Sequence, residues 1–359
     1  MPALPVLSKV EGVIDSLKAL VTGADGFIGS NLVSALLARG FEVRALVFPG
    51  SPSHNLDSLP VEICPGDLTR PETLLPATAG VNYVFHLAAK VTDWGPLSEF
   101  RKVIVDGTRN ILAASAENRV KRFLYVSTLA VHRYRDYIEG DETAPRDCRY
   151  PPYGVTKIEA ENQVNLFQKS GRLGTVIIRP GIFPFGPNDR TSFFQLARAL
   201  EGGVFGFIRG GKKLLCTSYV ENLVEGMILA ALNPRAEGQV YILTDGIKIT
   251  WKELFELFTR HLGKKPVWIN IPYPPIYLVA LLWESLYRLF GVKTAPLLTR
   301  YRVSLQAYHL HFDCRKAREE LGYRPQIGLE EGIRRTVAWY QKAKQIDDLR
   351  LTNSLKRLA

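Results

Sequence analysis

Tyr153 and Lys157 stand four residues apart in the segment YGVTK, a spacing that puts a phenol and an ammonium on one face of a helix. Free tyrosine ionises at about pH 10, too high for easy proton exchange with an alcohol at neutral pH. A neighbouring cation favours the phenolate and lowers that pKa, so the pair suits general acid–base work on a hydroxyl. Ser127 closes the apolar run Phe123–Ser127. A hydroxyl there can polarise a carbonyl or steady an alkoxide, with Thr128 in support. The same spacing recurs at Tyr340 and Lys344. No comparable serine precedes that pair, and it reads as a solvated face of the last helix.

Oxidising an alcohol also requires a hydride acceptor, and the sequence provides a seat for one. Leu20–Gly29 reads LVTGADGFIG, a short strand, a tight turn and a helix start. Gly23 permits the turn, Gly26 lets the backbone approach a pyrophosphate, and Gly29 lets the helix pack against the strand. The helix N-terminus then offers free N–H groups and a positive dipole end to phosphate. Thr22, Gly23, Asp25, Gly26, Phe27, Ile28 and Gly29 are the expected contacts. Asp67 and Leu68 suit the adenine side, Ala88 and Ala89 a small-residue floor, and Tyr153 and Lys157 the nicotinamide ribose. NAD binders usually carry an acid at the end of the second strand. Here that strand ends LVFPGS at 46–51, with no acid, and alternation points Arg44 away. The missing carboxylate removes repulsion against a 2′-phosphate and inclines the NAD(P) reading towards NADP.

These groups need a scaffold that delivers strand ends to one edge. Apolar runs at 17–21, 41–48, 61–64, 83–87, 123–127 and 175–179 alternate with helix-length segments, the pattern of right-handed βαβ units. The fold class is therefore α/β, a Rossmann-type doubly wound parallel sheet with a smaller C-terminal substrate-binding lobe. Residues 1–16 read as an N-terminal extension and 17–180 as the dinucleotide-binding domain. Residues 181–345 read as a lobe interleaved with the same sheet, and 346–359 as a polar tail.

Composition narrows the partners. The formal net charge of +11 favours anions, cofactor phosphates or an anionic membrane surface among them. No block of Lys and Arg interleaved with aromatics is present, which speaks against nucleic acid. Cys64, Cys148, Cys216 and Cys314 are widely spaced and, like the six histidines, form no metal-ligand pattern. They read as thiols in a reducing, cytoplasmic setting, in keeping with an N-terminus that lacks a secretory pattern.

TGADGFIG at 22–29, GDL at 66–68, HLAA at 86–89, YVST at 125–128, YGVTK at 153–157 and RPGIFPFGP at 179–187 resemble the extended short-chain dehydrogenase/reductases. The likeness runs through DCRKAREELGYRP at 313–325. It implies a Ser-Tyr-Lys mechanism on NAD(P) and adds Pro180 to the cofactor contacts. HLAAKVTDWG at 86–95 and SYVENLVEGMILA at 218–230 resemble, within that group, the 3β-hydroxysteroid dehydrogenase/isomerase branch. That branch includes sterol-4-carboxylate 3-dehydrogenases and 2-alkyl-3-oxoalkanoate reductases. Two positions depart from the family's pattern. Ile104 stands where an asparagine commonly helps anchor a water-linked proton relay. Phe185 stands where a tyrosine is frequent, removing a hydroxyl near the nicotinamide.

The resemblance implies a secondary alcohol or ketone of a bulky hydrophobic molecule as substrate, a 3β-hydroxysteroid or a β-hydroxy/β-keto acyl compound. A β-keto acid formed in this way can lose CO₂ without further catalytic groups. Sugar-nucleotide epimerases of this superfamily carry an arginine just before the YV pair at 219–220, but here Leu214–Ser218 has no cation. An epimerase or dehydratase is thus the second reading, and a non-catalytic NAD(P)-binding protein the third. Residues 271–290, IPYPPIYLVALLWESLYRLF, are strongly apolar but interrupted by Glu284 and Arg288. They fall short of the about 20 apolar residues that span a bilayer. An interfacial helix at a membrane, a cover over the substrate cleft and a homodimer contact all remain open.

Overall fold

The computed structural model describes residues 17–358, so the expected N-terminal extension lies outside the described residues. The first half alternates strands and helices as the periodicity requires: β1 Lys18–Thr22, α1 Phe27–Leu37, β2 Glu42–Val47, β3 Glu62–Pro65, α2 Leu74–Thr78 and β4 Tyr83–His86. It continues with α3 Leu97–Phe100, α4 Gly107–Glu117, β5 Arg122–Val126, β6 Tyr137–Gly140, α5 Pro152–Lys169 and β7 Thr175–Pro180. A π-helical stretch, Arg101–Asp106, joins α3 to α4.

The second half contributes β8 Phe183–Phe185, α6 Phe193–Glu201, β9 Val204–Ile208, β10 Leu214–Leu215, β11 Thr217–Tyr219, α7 Val220–Leu232, β12 Val240–Leu243 and β13 Ile249–Thr250. It ends with α8 Trp251–His261, β14 Val267–Ile271, α9 Tyr273–Leu289, α10 Arg300–Ala307, β15 Leu310–Phe312, α11 Arg315–Leu321 and α12 Leu329–Leu358.

Seven strands form one parallel sheet in the order β12-β7-β5-β4-β1-β2-β3. Its central strands are buried on both faces, which is why they read as continuous apolar runs rather than alternating ones. One face packs on Leu32, Val33 and Leu36 of α1 and Leu223 and Met227 of α7. The other packs on Leu74 of α2, Ile111 and Leu112 of α4, and Ala160 and Val164 of α5. The strand order reverses between β1 and β4, so their carboxyl ends splay apart and open a cleft there.

β12 joins the sheet beside β7 from beyond residue 180, so the lobe is interleaved with the main sheet. The lobe adds a four-stranded sheet, β13-β10-β15-β6, and two pairs, β11·β8 and β14·β9. Residues 346–358, expected as a tail, continue α12 without a break. The pair expected on a solvated face of that helix is engaged instead. Tyr340 is fully buried, and both its hydroxyl (2.9 Å) and the Lys344 ammonium (2.6 Å) donate to Glu201.

Candidate active site

A cleft of about 770 Å³ lies over the carboxyl ends of β1, β4, β5 and β7. Its floor begins at the glycine turn. Gly23 adopts φ +65, and Gly26 N–H donates back to the Gly23 carbonyl at 3.1 Å. A Cβ on Gly29 would stand 2.0 Å from that same carbonyl oxygen, so only glycine lets α1 start this close to the strand. The α1 N-terminus therefore faces the cleft with free N–H groups, an arrangement that fits a dinucleotide pyrophosphate. Gly23 in turn backs onto Ala88, whose small side chain leaves the space open.

Asp25, Gly26, Phe27, Ile28, Gly29, Asp67, Leu68, Ala88, Ala89 and Pro180 line this cleft with Gly23. Thr22 does not. It is fully buried behind the turn, where its hydroxyl accepts from Leu87 N–H (3.2 Å) and Ala88 N–H (3.1 Å) and lies 2.7 Å from His86 Nδ1. Thr22 thus fixes the end of β4 relative to β1 and leaves the cofactor seat to its neighbours. At the adenosine end Phe48 lines the wall and no acid of β2 is present. Arg44 is spent elsewhere, on Glu62 (2.7 Å) and the carbonyls that end α2.

The catalytic candidates meet on the opposite wall. Pro152 starts α5, a position at which its missing N–H costs nothing. Tyr153, Lys157 and Glu161 then follow on one face at successive turns. A Cβ on Gly154 would lie 2.3 Å from the Ala130 carbonyl, so this glycine lets the first turn of α5 press against the chain that follows β5. Ser127, Thr128, Tyr153 and Lys157 consequently all line the cleft.

Lys157 is 2% exposed, and its ammonium donates to the Val126 carbonyl at 2.7 Å while lying over the Tyr125 ring at 4.7 Å. Burial lowers its pKa to about 7 against the opposing pull of Glu161. Tyr153 differs from expectation: burial, with Tyr301 nearby, drives its phenol well above the ordinary tyrosine value. Both act against the phenolate, burial by desolvating it.

Glu161 escaped the sequence reading, although its place four residues after Lys157 and an arginine in the next strand were visible signals. It is fully buried and takes a bidentate pair from Arg179, at 2.9 and 2.8 Å, plus Arg146 at 3.0 Å. These cations hold its carboxyl below the usual range despite burial. Ile104 sits in the π-helical stretch, buried among apolar neighbours, and offers no polar atom for a water relay. Phe185 does not reach the cleft. It is fully buried against Tyr219 and Phe258, so the missing hydroxyl belongs to the core rather than to the nicotinamide pocket.

Lys213, beside the strand that lacks the diphosphate-gripping arginine, is paired with Asp136 at 3.2 Å. No group of acidic, histidine or cysteine side chains among the described residues is arranged to hold a metal ion. No helix among them is long and apolar enough to cross a membrane.

Residues 20–271 match the sequence pattern of the 3-beta hydroxysteroid dehydrogenase/isomerase family. The chain is 34% identical over 319 residues to the 4-hydroxy-2-methyl-3-oxo-4-farnesyl-3,4-dihydroquinoline-1-oxide ketoreductase of Stigmatella aurantiaca, covering 88% of this chain and 95% of that protein. It is 33% identical to the 2-alkyl-3-oxoalkanoate reductase of Stenotrophomonas maltophilia, covering 90% and 99% respectively. Among solved structures, the crystal structure of gox2253 superposes with a TM-score of 0.77 at 32% identity, covering 90% of this chain and 98% of that one.

Proposed function

The chain belongs to the 3-beta hydroxysteroid dehydrogenase/isomerase family, and from that premise we propose that Tyr153, Lys157 and Ser127 carry an NAD(P)-dependent alcohol–ketone interconversion on a bulky hydrophobic substrate. The chain is an oxidoreductase, as its similarity to named reductases over nearly their whole length requires. The observation that carries the site assignment is the convergence of those three side chains with the glycine turn on one cleft.

The bound nicotinamide supplies the hydride acceptor or donor. Every other task falls to this chain. Tyr153 Oη gives or takes the proton of the substrate oxygen. Lys157, held on the Val126 carbonyl beneath it, supplies the positive charge that favours the phenolate and a donor for the cofactor ribose. Ser127 stands at the end of β5 to hold the substrate oxygen. Phe48 rather than an acid stands at the end of the second strand, although the Asp25 carboxylate, which accepts from Ser51, lines the same cleft. The missing strand-end acid supports NADP as the preferred cofactor.

Two named similarities, to a ketoreductase of a farnesylated quinoline oxide and a 2-alkyl-3-oxoalkanoate reductase, support long-chain or polycyclic ketones and their alcohols as the substrate class. Reduced-nicotinamide absorbance with each cofactor tests the reading, against 3β-hydroxysteroids, a sterol 4-carboxylate, 2-alkyl-3-oxoalkanoates and a UDP-hexose. Turnover with a hydrophobic alcohol or ketone, faster with the NADP couple, is the expected result. Silence on that panel with an epimerised UDP-hexose overturns it.

A further inference from the structure

Tyr301 brings a second phenol to the catalytic wall. Among the described residues that line the cleft, it alone comes from beyond residue 192. It stands in the first turn of α10, far along the chain from Tyr153, yet close enough to act on the Tyr153 phenol. Both line the same cleft, and their interaction is one of charge rather than a shared hydrogen bond. Two buried carboxylates fix the backbone on either side of Tyr301. Asp93, 7% exposed, comes from the loop after β4. It accepts from Thr299 Oγ1 at 2.6 Å and from Arg302 Nη2 at 3.0 Å. Glu284 of α9 is fully buried and accepts from Arg300 N–H (2.6 Å) and Arg300 Nε (2.8 Å). Burying a carboxylate is costly unless it is paired and hydrogen-bonded. Here two such groups hold Thr299, Arg300 and Arg302, and the residue in the middle of that clamp is the one that reaches the cleft. The arrangement suits a side chain held in place before its ligand arrives.

The Tyr301 hydroxyl has its proton to offer. Tyr134 packs edge-on against its ring, with centroids 5.8 Å apart. The Tyr134 hydroxyl is buried, makes no formed hydrogen bond, and is placed to donate to Tyr301 rather than to accept from it. A phenol has one proton and can also accept. With Tyr134 behind it as donor, Tyr301 keeps its own proton for the cleft. Burial, and then the Asp93 carboxylate, pushes its pKa up to about 12, so at neutral pH it is a neutral donor. It is therefore no second base, and its natural partner is an acceptor oxygen.

Tyr153 and Ser127 already attend the reacting oxygen. We propose that Tyr301 donates to a second acceptor oxygen of the substrate, close to the reacting carbonyl, and so makes the cleft select a 3-oxo acid derivative over an isolated ketone of the same length. This role rests on the proposed function and narrows its substrate class. Tyr301 holds the second oxygen and gives up no proton, so it determines specificity without entering the chemical step. A site built to hydrogen-bond a substrate group discriminates against the analogue that lacks it, because the donor is then left buried and unpaired.

The test compares a methyl 3-oxo ester with an isolated ketone of equal chain length, in the parent and in Tyr301→Phe. Two quantities are read: kcat/KM, and calorimetric binding of each ketone to the full chain loaded with NADP⁺, a complex that cannot turn over. The expected result is a preference for the ester in the parent that falls by about tenfold in the variant in both readouts, with cooperative thermal unfolding retained. No preference in the parent overturns the proposal, and so does a preference that survives unchanged in the variant. A variant that loses both ketones equally also overturns it, since that is the mark of a merely structural residue. Turnover of the ester with an unchanged preference refutes the Tyr301 role alone. Ester binding that Tyr301→Phe weakens, without turnover by the parent, refutes the catalytic reading alone.

Discussion

Ser127 Oγ donates to Glu161 Oε1 at 2.5 Å, linking the strand-end hydroxyl of the cleft to the helix that carries Tyr153 and Lys157. A hydroxyl has one proton. With it committed to Glu161, Ser127 presents lone pairs to the cleft, ready to accept from a substrate alcohol. To donate to a ketone oxygen it must rotate away from Glu161. The carboxylate therefore sets the resting orientation of the serine, and the Arg179–Glu161–Arg146 network sets the orientation of the carboxylate.

Removing that carboxylate should be costly. Glu161→Ala leaves the Arg179 guanidinium, 2% exposed, without its bidentate partner. Breaking a buried pair from one side costs about 3–5 kcal/mol. Urea unfolding of the two proteins measures it, and a loss well below 1 kcal/mol would show that the network relaxes freely.

Tyr153→Phe deletes the proton-transfer atom and keeps the ring in the cleft wall. Turnover should fall by about 10²–10⁴-fold or more, while titration with reduced cofactor gives an affinity close to that of the parent. A variant that retains more than a small fraction of the activity rules Tyr153 out as the acid–base group.

The lowered pKa of Lys157 makes a prediction about stability against pH. In the folded chain the ammonium loses its proton near pH 7, whereas in the unfolded chain it keeps it to about pH 10.4. Between those values the unfolded state binds more protons, so this group's contribution to stability rises with pH. Below that window the full cost of burying the charge remains. Lys157→Met should therefore raise the melting temperature over the parent most at pH 6, and the gain should shrink as the pH climbs towards 10. A gain independent of pH would mean that Lys157 titrates normally in the fold.

Gly29→Ala places a methyl 2.0 Å from the Gly23 carbonyl and pushes α1 away from the turn. Overpacking of this kind costs about 1–3 kcal/mol. Because the displaced atoms form the phosphate seat, cofactor affinity should drop by about ten- to a hundredfold. Fluorescence titration with NADPH reads this directly. Unchanged affinity would place the pyrophosphate away from this turn.

Local patterns that physics ties to one structure were legible in the chain. The glycine spacing at 23, 26 and 29, the apolar runs between helix-length segments, and the four-residue step from Tyr153 to Lys157 each identify their element without knowledge of the rest. Other features required distant residues to meet, and local spacing carries no information about such meetings. Glu161 becomes the partner of Ser127 only because α5 packs beside β5 and β7, 34 residues of sequence from that serine. The phenol of Tyr153 is raised rather than lowered because the tertiary fold buries it, beside Tyr301 from a distant part of the chain. Tyr340 and Lys344 share the Tyr153–Lys157 spacing, yet the fold turns them onto Glu201 and outside the cleft that holds Tyr153 and Lys157. The apolar content of 271–290 was plain from the residues, but which face looks outward was decided by Glu284, whose buried pairing with Tyr150 and Arg300 leaves the leucines in solvent.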